Sequence, residues 1–372
     1  MGKVKRVVVK IGSSSVAGTD NQLDRRLMRR LVNDVVALRD QGIEVAIVSS
    51  GAVVAGMGRL GLARRPTAIA ELQAAAAVGQ NLLMHTYESL FKRHDVPVGQ
   101  VLLTAGDILE DRGRYLNLRN TFRKLFAYGV VPIINENDSV AVAELKLTFG
   151  ENDMLAAYVA NLVRAELLVM FSDVEGLYVD FDADGSAARP LTEIGEDDPL
   201  FSKIEQGKSR RGGGVGRGGI RTKVKAARLL MACGEMAVIA HARKHRLTDI
   251  VGGRPLGTLF APSRGRMQSR KRWIGFASPC MGSVVVDDGA QRAITKLGKS
   301  LLPAGVIGCA GSFKAGDVIR VEGAEHRELA RGLSRYAAAE IEQILGKSSP
   351  DVERTLGRPA LEVIHRDDLV LT

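Results

Sequence analysis

The sequence predicts an α/β fold: an open, mostly parallel sheet sandwiched by helices, followed by a small β-rich domain. Three observations carry this expectation. The runs 7–11, 43–48, 130–134 and 167–171 are almost continuously apolar, as strands buried on both faces must be. Segments with helical spacing separate them. Past Pro279 the texture changes to short apolar runs with frequent glycines, at 283–286, 306–307 and 318–321.

The first strand is the stretch around which the chain is organised. In RVVVKI (6–11) only Lys10 breaks a β-branched run, and a lysine in a buried strand must have its charge answered. Gly12 and three serines follow at once, a turn able to aim N–H donors at an anion, with Lys10 adding a point charge. The plainer alternative is a lysine that snorkels to the sheet edge. Leu23, Leu27, Leu31, Val35 and Leu38 recur at three- and four-residue steps, an amphipathic helix that Gly42 ends. The strand 43–48 runs into Ser49, Ser50, Gly51 and Ala52, and then into a helical stretch. An alanine-rich helix is expected over roughly 67–91, a strand over 98–103, a helix over 115–128 and a strand over 130–134. The helix 152–162 precedes the strand 167–171; another helix starts near Ile220, and another strand near Met236. The stretch 252–262 closes the region. In such sheets ligands lie beyond the carboxyl ends of the strands.

Composition narrows the class. A chain of 372 residues accommodates two domains, and its hydrophobic and charged fractions, 45% and 25%, are those of a water-soluble globular protein. No apolar run approaches the ~18 residues of a membrane span, and the first ten residues lack the apolar core of a signal peptide. Three cysteines without C-x-x-C spacing fit a reduced cytoplasmic protein without structural zinc. The net charge of +10 is local: nine basic residues against Glu205 lie between Lys203 and Arg228, and five more lie between Arg264 and Arg272. An anion site or a linker explains such clusters better than a wholly basic surface does.

Four polar turns hold the candidate chemistry. The first runs from Lys10 through Gly12 and Ser13 to Ser15, and the second is Ser49–Ser50–Gly51–Ala52, where hydroxyls and N–H groups can hold an anion. A plain serine cap is the alternative there. The third pairs Asn135–Glu136–Asn137–Asp138, placed directly after a buried strand, with Glu151–Asn152–Asp153 at a helix start. Carboxylates and amides so placed can orient an ammonium group, a metal or a lysine; a simple helix cap is the competing reading of Asn152 or Asp153 taken singly. The fourth is Gly218–Gly219–Ile220–Arg221–Thr222–Lys223. A lysine at a helix N-terminus opposes the macrodipole, a conflict that a bound phosphate removes. The spacing is not that of a Walker P-loop, and no triad, histidine metal set or dinucleotide motif accompanies it. Two lysines, glycine turns and acidic residues without a nucleophile are what phosphoryl transfer requires.

Taken in order, VVVKIGSS, IVSSGA, QAAAAVGQ, VGQVLLT, DRGRYLN, VPIINENDSVA, FGENDMLAA, FSDVEGLY and GGIRTK resemble the glutamate 5-kinase branch of the amino acid kinase family. RKRWIGF, SLLPAGV, GLSRY and EVIHRDDLVL resemble the linker and carboxy-terminal PUA domain of the bacterial members. Nearly the whole chain is covered. The resemblance implies a kinase domain at 1–262, a basic linker at 263–276 and a PUA-like domain at 277–372. It implies ATP-dependent phosphorylation of the γ-carboxylate of L-glutamate to glutamyl 5-phosphate for proline biosynthesis.

Carried over residue by residue, Lys10 and Lys223 flank the transferred phosphoryl group, and Asp153 orients them. Ser50, Asp138 and Asn152 hold glutamate. Ser172, Asp173 and the loop Arg217, Gly218, Gly219, Ile220, Arg221, Thr222 and Lys223 contact ATP together with Lys10. Mg²⁺ bridges the nucleotide phosphates with few protein ligands, so no protein metal site is expected. Feedback inhibition by proline and a homo-oligomeric state are likewise implied. Arg217 and Arg221 depart from the small hydroxyl residues usual at these places and add charge beside the phosphate site. Three other readings compete: a different acyl or nucleotide kinase of the same fold, an RNA-binding protein acting through the PUA-like tail, and a catalytically dead regulator, which the intact Lys10, Asp153 and Lys223 count against. That tail is neither notably basic nor aromatic, which counts against the second.

Overall fold

The computed structural model describes residues 4–18, 22–109, 112–141, 152–178, 190–195, 198–199, 201, 219–262, 275 and 280–371. The chain divides into two compact units, residues 1–108 with 113–266, and 109–112 with 267–372.

The first unit is built on β1 (Arg6–Ile11), β2 (Glu44–Ser49), β3 (Val98–Leu103), β4 (Val131–Glu136), β5 (Leu167–Ser172), β6 (Glu193–Gly195), β7 (Met236–His241) and β8 (Thr258–Ala261). They lie in the order β3-β4-β2-β1-β5-β7-β8-β6, and every neighbouring pair is parallel except β7 with β8. The helices described between the strands are α1 (Ser13–Val16), α2 (Arg25–Asp40), α3 (Ala52–Leu60), α4 (Ile69–Phe91), α5 (Ala105–Leu109), α6 (Arg112–Ala127), α7 (Asn152–Val163), α8 (Gly219–Ala232) and α9 (Leu247–Val251). Strand β1 is central: Val8 stands beside Ala46 of β2 and Leu168 of β5. After β1 the chain winds to one side through β2, β3 and β4, then returns to place β5 on the other side of β1. The crevice at this switch point, outside the carboxyl ends, is where open α/β sheets bind ligands.

Strand periodicity sorts the side chains of β1. Val7, Val9 and Ile11 join Val45, Ile47, Leu167 and Val169 in a core cluster with α2 and α4. Lys10, one residue out of phase, points to the opposite face, toward α7. Helix α2 starts where the Asp24 carboxylate accepts the Leu27 N–H at 2.9 Å, and it gives way to Gly42 at φ +79°. Helices α3 and α4 cross with backbone against backbone. A Cβ on Gly56 would lie 1.8 Å from the Ala75 carbonyl oxygen, and one on Gly79 would lie 1.8 Å from that of Ala52. The alanine-rich run QAAAAVGQ thus supplies the small surface this crossing needs.

The expected strands and helices are present, with differences that have physical causes. Strand β4 runs on to Glu136, because β3 continues to pair with it at Leu102–Asn135 and Leu103–Glu136. Asn135 and Glu136 therefore belong to the sheet and not to the turn that follows. The closing stretch 252–262 contains β8, which returns antiparallel along β7 and carries the short β6 on its far side. The buried Thr258 holds it there, accepting the Leu177 N–H and donating to the Leu191 carbonyl.

The second unit has its own sheet: β9 (Gly282–Val286), β10 (Val306–Gly311), β11 (Val318–Glu322), β12 (Glu328–Leu333) and β13 (Leu369–Leu371), in the order β10-β9-β11-β12-β13. Only β9 with β11 is parallel. Helices α10 (Asp288–Thr295), α11 (Ala338–Ile344) and α12 (Ser349–Leu356) accompany it. Val284, Ile319, Val321, Tyr336, Ile341 and Ile364 form its core. Residues 263–276, the expected linker, lie outside the described residues apart from Gly275. No helix among the described residues is long and apolar enough to cross a membrane.

Candidate active site

The end of β1 and the start of α7 meet in a buried charge cluster. Lys10 Nζ lies 2.6 Å from Asp153 Oδ1, and Lys223 Nζ lies 3.1 Å from Asp153 Oδ2. Lys10, Asp153 and Lys223 are 3%, 0% and 6% exposed, so all three charges are out of bulk water. The Asp153 carboxylate also accepts a hydrogen bond from Thr222 Oγ1 at 2.9 Å. Two ammonium groups share one carboxylate, which leaves the trio with one excess positive charge. Burying such an excess is costly unless an anion completes it.

Each member is delivered by a local rule. Lys10 comes from the central strand, and its ammonium lies over Gly12, 3.5 Å from where a Cβ of that residue would be. Gly12 leads into α1, with Ser13 exposed at its first position. Asp153 stands in the first turn of α7, where a carboxylate favours the helix dipole. Lys223 is the fifth residue of α8, just past its first turn, near the end where the dipole disfavours a cation. It folds back to donate to the Gly219 carbonyl at 3.1 Å, and Asp153 answers its charge.

Asn152, the neighbour of Asp153, links this cluster to a set of amides. Its Nδ2 donates to Ser50 Oγ and to Asn135 Oδ1, each at 2.8 Å, and Asn135 Nδ2 donates to Gln80 Oε1 at 2.9 Å. Ser50 precedes Gly51, whose φ of +113° admits glycine and few other residues. Behind it the wholly buried Tyr87 donates to Ser49 Oγ at 2.9 Å, and Ser49 donates to the Ser50 carbonyl. Burial pushes the Tyr87 phenol up to about 12, against the lowering effect of the Ser49 hydrogen bond, so it serves as a donor at every physiological pH.

The remaining candidates spread around this centre. Ser172 ends β5 directly beyond the Ile11–Phe171 pair, is 6% exposed, and donates to the exposed Asp173 carboxylate at 3.0 Å. Asp138 is half-buried in the turn that leaves β4. Gly219 and Ile220 open α8 half-buried, and Arg221 is exposed on its first turn. Arg217 and Gly218 lie outside the described residues, as does Glu151. The sheet thus gathers Lys10, Ser50, Asn152, Asp153, Thr222 and Lys223 into one connected network. Sequence reading did not single out Gln80 or Tyr87, whereas Ser49 belongs to the second of its polar turns. A glutamine and a tyrosine seven residues apart lie on one face of a helix, a signal that the alanine-rich composition of α4 hides.

Among the described residues, no three His, Cys, Asp or Glu side chains stand close enough together to hold a metal ion.

A model of the amino acid kinase family matches residues 5–241, and a model of the PUA domain matches residues 282–356. A glutamate 5-kinase of Pseudomonas savastanoi pv. phaseolicola is 46% identical over the whole length of both chains. Another, from Pseudomonas syringae pv. syringae, is 47% identical over 99% of this chain and 98% of its own. Among solved structures, the carbamate kinase of Giardia lamblia bound to AMP-PNP aligns at 15% identity with a TM-score of 0.48, over 71% of this chain and 100% of that one.

Proposed function

The chain belongs to the amino acid kinase family, and from that membership we propose that it transfers the γ-phosphoryl group of ATP to the γ-carboxylate of L-glutamate, the entry step of proline biosynthesis. The observation that carries the chemistry is the buried Lys10–Asp153–Lys223 trio with its excess positive charge. A γ-carboxylate oxygen attacks the terminal phosphorus, and the bond from that phosphorus to the bridging oxygen of ADP breaks. The acceptor is already ionised near pH 7, so no general base is needed. What the reaction needs is alignment, and positive charge on the equatorial and leaving oxygens. Lys10 and Lys223 supply the charge from opposite elements. Asp153 fixes their ammonium groups, so little reorganisation is spent during transfer.

In this reading Ser50, Asp138 and Asn152 hold glutamate. Ser172, Asp173 and the segment 217–223 hold the nucleotide, and Gly12, Ser13 and Gly51 let backbone N–H groups approach the phosphates. Mg²⁺ accompanies ATP and shields its phosphate charge. We assign residues 1–262 to the kinase domain, 263–276 to a linker and 277–372 to the PUA-like domain. The three cysteines, none of them in a disulfide among the described residues, suit a reducing cytoplasm. Proline as an inhibitor, self-association, and RNA as a partner of the second domain complete the reading.

The test is turnover of purified protein with ATP and Mg²⁺, with hydroxylamine present to trap an acyl phosphate. Hydroxamate is expected with L-glutamate and not with N-acetylglutamate or aspartate. No product from glutamate would remove the proposal.

A further inference from the structure

The carboxyl ends of β5 and β7 place a histidine beside Ser172, on the face of the sheet that carries Lys10. In the parallel pairing of these strands Phe171 stands opposite Ala240, and Ser172 opposite His241. Phe171, Val238 and Ala240 belong to the core cluster with α2 and α4. Alternation along a strand therefore turns Met170, Ser172, Ile239 and His241 to the other face, the one with Lys10, α7 and α8. Strand geometry sets the span. In the order β1-β5-β7, His241 is displaced about 10 Å sideways from Lys10 and about 7 Å further toward the carboxyl ends. An extended nucleoside triphosphate whose terminal phosphate meets Lys10 brings its sugar and base to such a place.

The imidazole is held in one orientation and one tautomer. Its Nδ1 accepts the Arg243 backbone N–H at 3.0 Å, and a backbone N–H can only donate. Burial, followed by the Lys244 charge, lowers the His241 pKa below its ordinary 6.5, so the ring is neutral near neutral pH. Its one ring proton is therefore on Nε2, which has no hydrogen-bond partner among the described residues. The turn itself is clamped from several sides. Arg30 donates to the Ala242 carbonyl and, at 2.7 Å, to that of Arg243. Arg243 pairs with Asp24 at 2.6 Å, Lys244 pairs with Glu175, and His245 Nδ1 accepts the His241 N–H at 3.3 Å. An asparagine would serve the 241–243 turn as well. What histidine adds is a fixed Nε2–H donor.

We infer that His241 is a nucleotide-binding residue of the kinase site, its Nε2–H donating to an acceptor atom on the nucleoside part of ATP. The inference rests on the reading of Ser172, Asp173 and the segment 217–223 as nucleotide-binding.

The experiment measures Tm and the KM values for ATP and L-glutamate, in the hydroxamate assay, for full-length parent, His241→Asn and His241→Gln. Asparagine puts an acceptor at the Nδ1 place and nothing at Nε2; glutamine puts a donor near Nε2 and nothing at Nδ1. His241→Asn is expected to keep the parent Tm and to raise the ATP KM about 5–10-fold, the worth of one oriented hydrogen bond. Its glutamate KM should hold within about 2-fold. His241→Gln should lower Tm, yet keep the ATP KM within about 2-fold of the parent. An unchanged ATP KM in His241→Asn, an equal rise in its glutamate KM, or an ATP KM that follows Tm across the two variants would overturn the inference. Failure of the underlying reading shows separately, as an ATP KM unaltered in Asp173→Ala; failure of the His241 assignment shows only in the His241 variants.

Discussion

Lys10 Nζ and Asp153 Oδ1 stand 2.6 Å apart with both side chains almost wholly buried, one from the central strand of the sheet and one from a helix 143 positions later in the chain. An ion pair so placed does not stabilise a fold cheaply, because desolvation offsets much of the attraction. In the proposed mechanism its use lies in holding an ammonium group where a phosphoryl group passes.

Lys10→Met and Lys223→Met should therefore each lower kcat by at least about 10²–10³, the scale on which removal of one preorganised charge donor acts. Far-UV circular dichroism should stay that of the parent. Turnover near the parent rate in either variant would break the two-lysine mechanism.

Asp153→Asn removes the carboxylate that both lysines share, and should cost about 3–5 kcal/mol of stability in urea unfolding. Adding Lys10→Met should recover part of that loss and none of the activity, since the double variant buries fewer unanswered charges. A single variant as stable as the parent would mean that water or another anion already answers the lysines.

Ser50→Ala and Asp138→Ala should raise the glutamate KM and leave the ATP KM nearly unchanged. An effect confined to ATP would move both residues to the nucleotide side.

Gly79→Ala puts a methyl group 1.8 Å from the Ala52 carbonyl oxygen, closer than any contact that relaxation of a side chain could relieve. The helices must separate at a cost of about 1–3 kcal/mol or more, and the Ser50 turn moves with α3. A lowered Tm together with a raised glutamate KM is expected; Gly61→Ala, where nothing lies within 4 Å, is a control for the glutamate KM.

The turn after β7 gives the protein an acid-sensitive point. His241 Nδ1 accepts the Arg243 N–H at 3.0 Å, and His245 Nδ1 accepts the His241 N–H at 3.3 Å. Burial, with help from Lys244, holds both imidazoles below their ordinary value against the pull of Glu175. The unfolded chain therefore binds more protons than the native one between the lowered folded values and about 6.5. Stability should be full above pH 6.5 and decline as the pH falls through that window. His241→Asn with His245→Asn keeps an acceptor near each Nδ1 position and should flatten this slope in Tm measured from pH 5 to 8.

Much of the site was legible in the sequence because it lies in short contiguous motifs. Lys10 stood out as a charge inside an apolar strand, Asn152 and Asp153 as polar residues opening a helix, and Lys223 as a cation set against a helix dipole. Each broke a local rule, and the structure shows how the breaches answer one another through the Asp153 carboxylate. Asn135 was read as part of a turn because its polarity hides the strand; pairing with Leu102 of β3 decides otherwise. Gln80 and Tyr87 broke no local rule, so nothing in the sequence separated them from an ordinary helix.

The sequence by itself determined the order and type of the elements, the parallel character of most of the sheet, and the residue types available for chemistry. Period-two and 3.6-residue patterns are local, and the strand-end turns carry their glycines and hydroxyls within a few positions. The tertiary structure alone decided which carboxylate answers which lysine, which strand turns back antiparallel, and which side of α4 meets Ser49 and Asn135. Those outcomes depend on distances between residues 70 to 160 positions apart, from Lys223 and Asp153 to Arg6 and Glu166. Such distances are fixed only when backbone packing, such as the Gly56 and Gly79 crossing, brings the elements together.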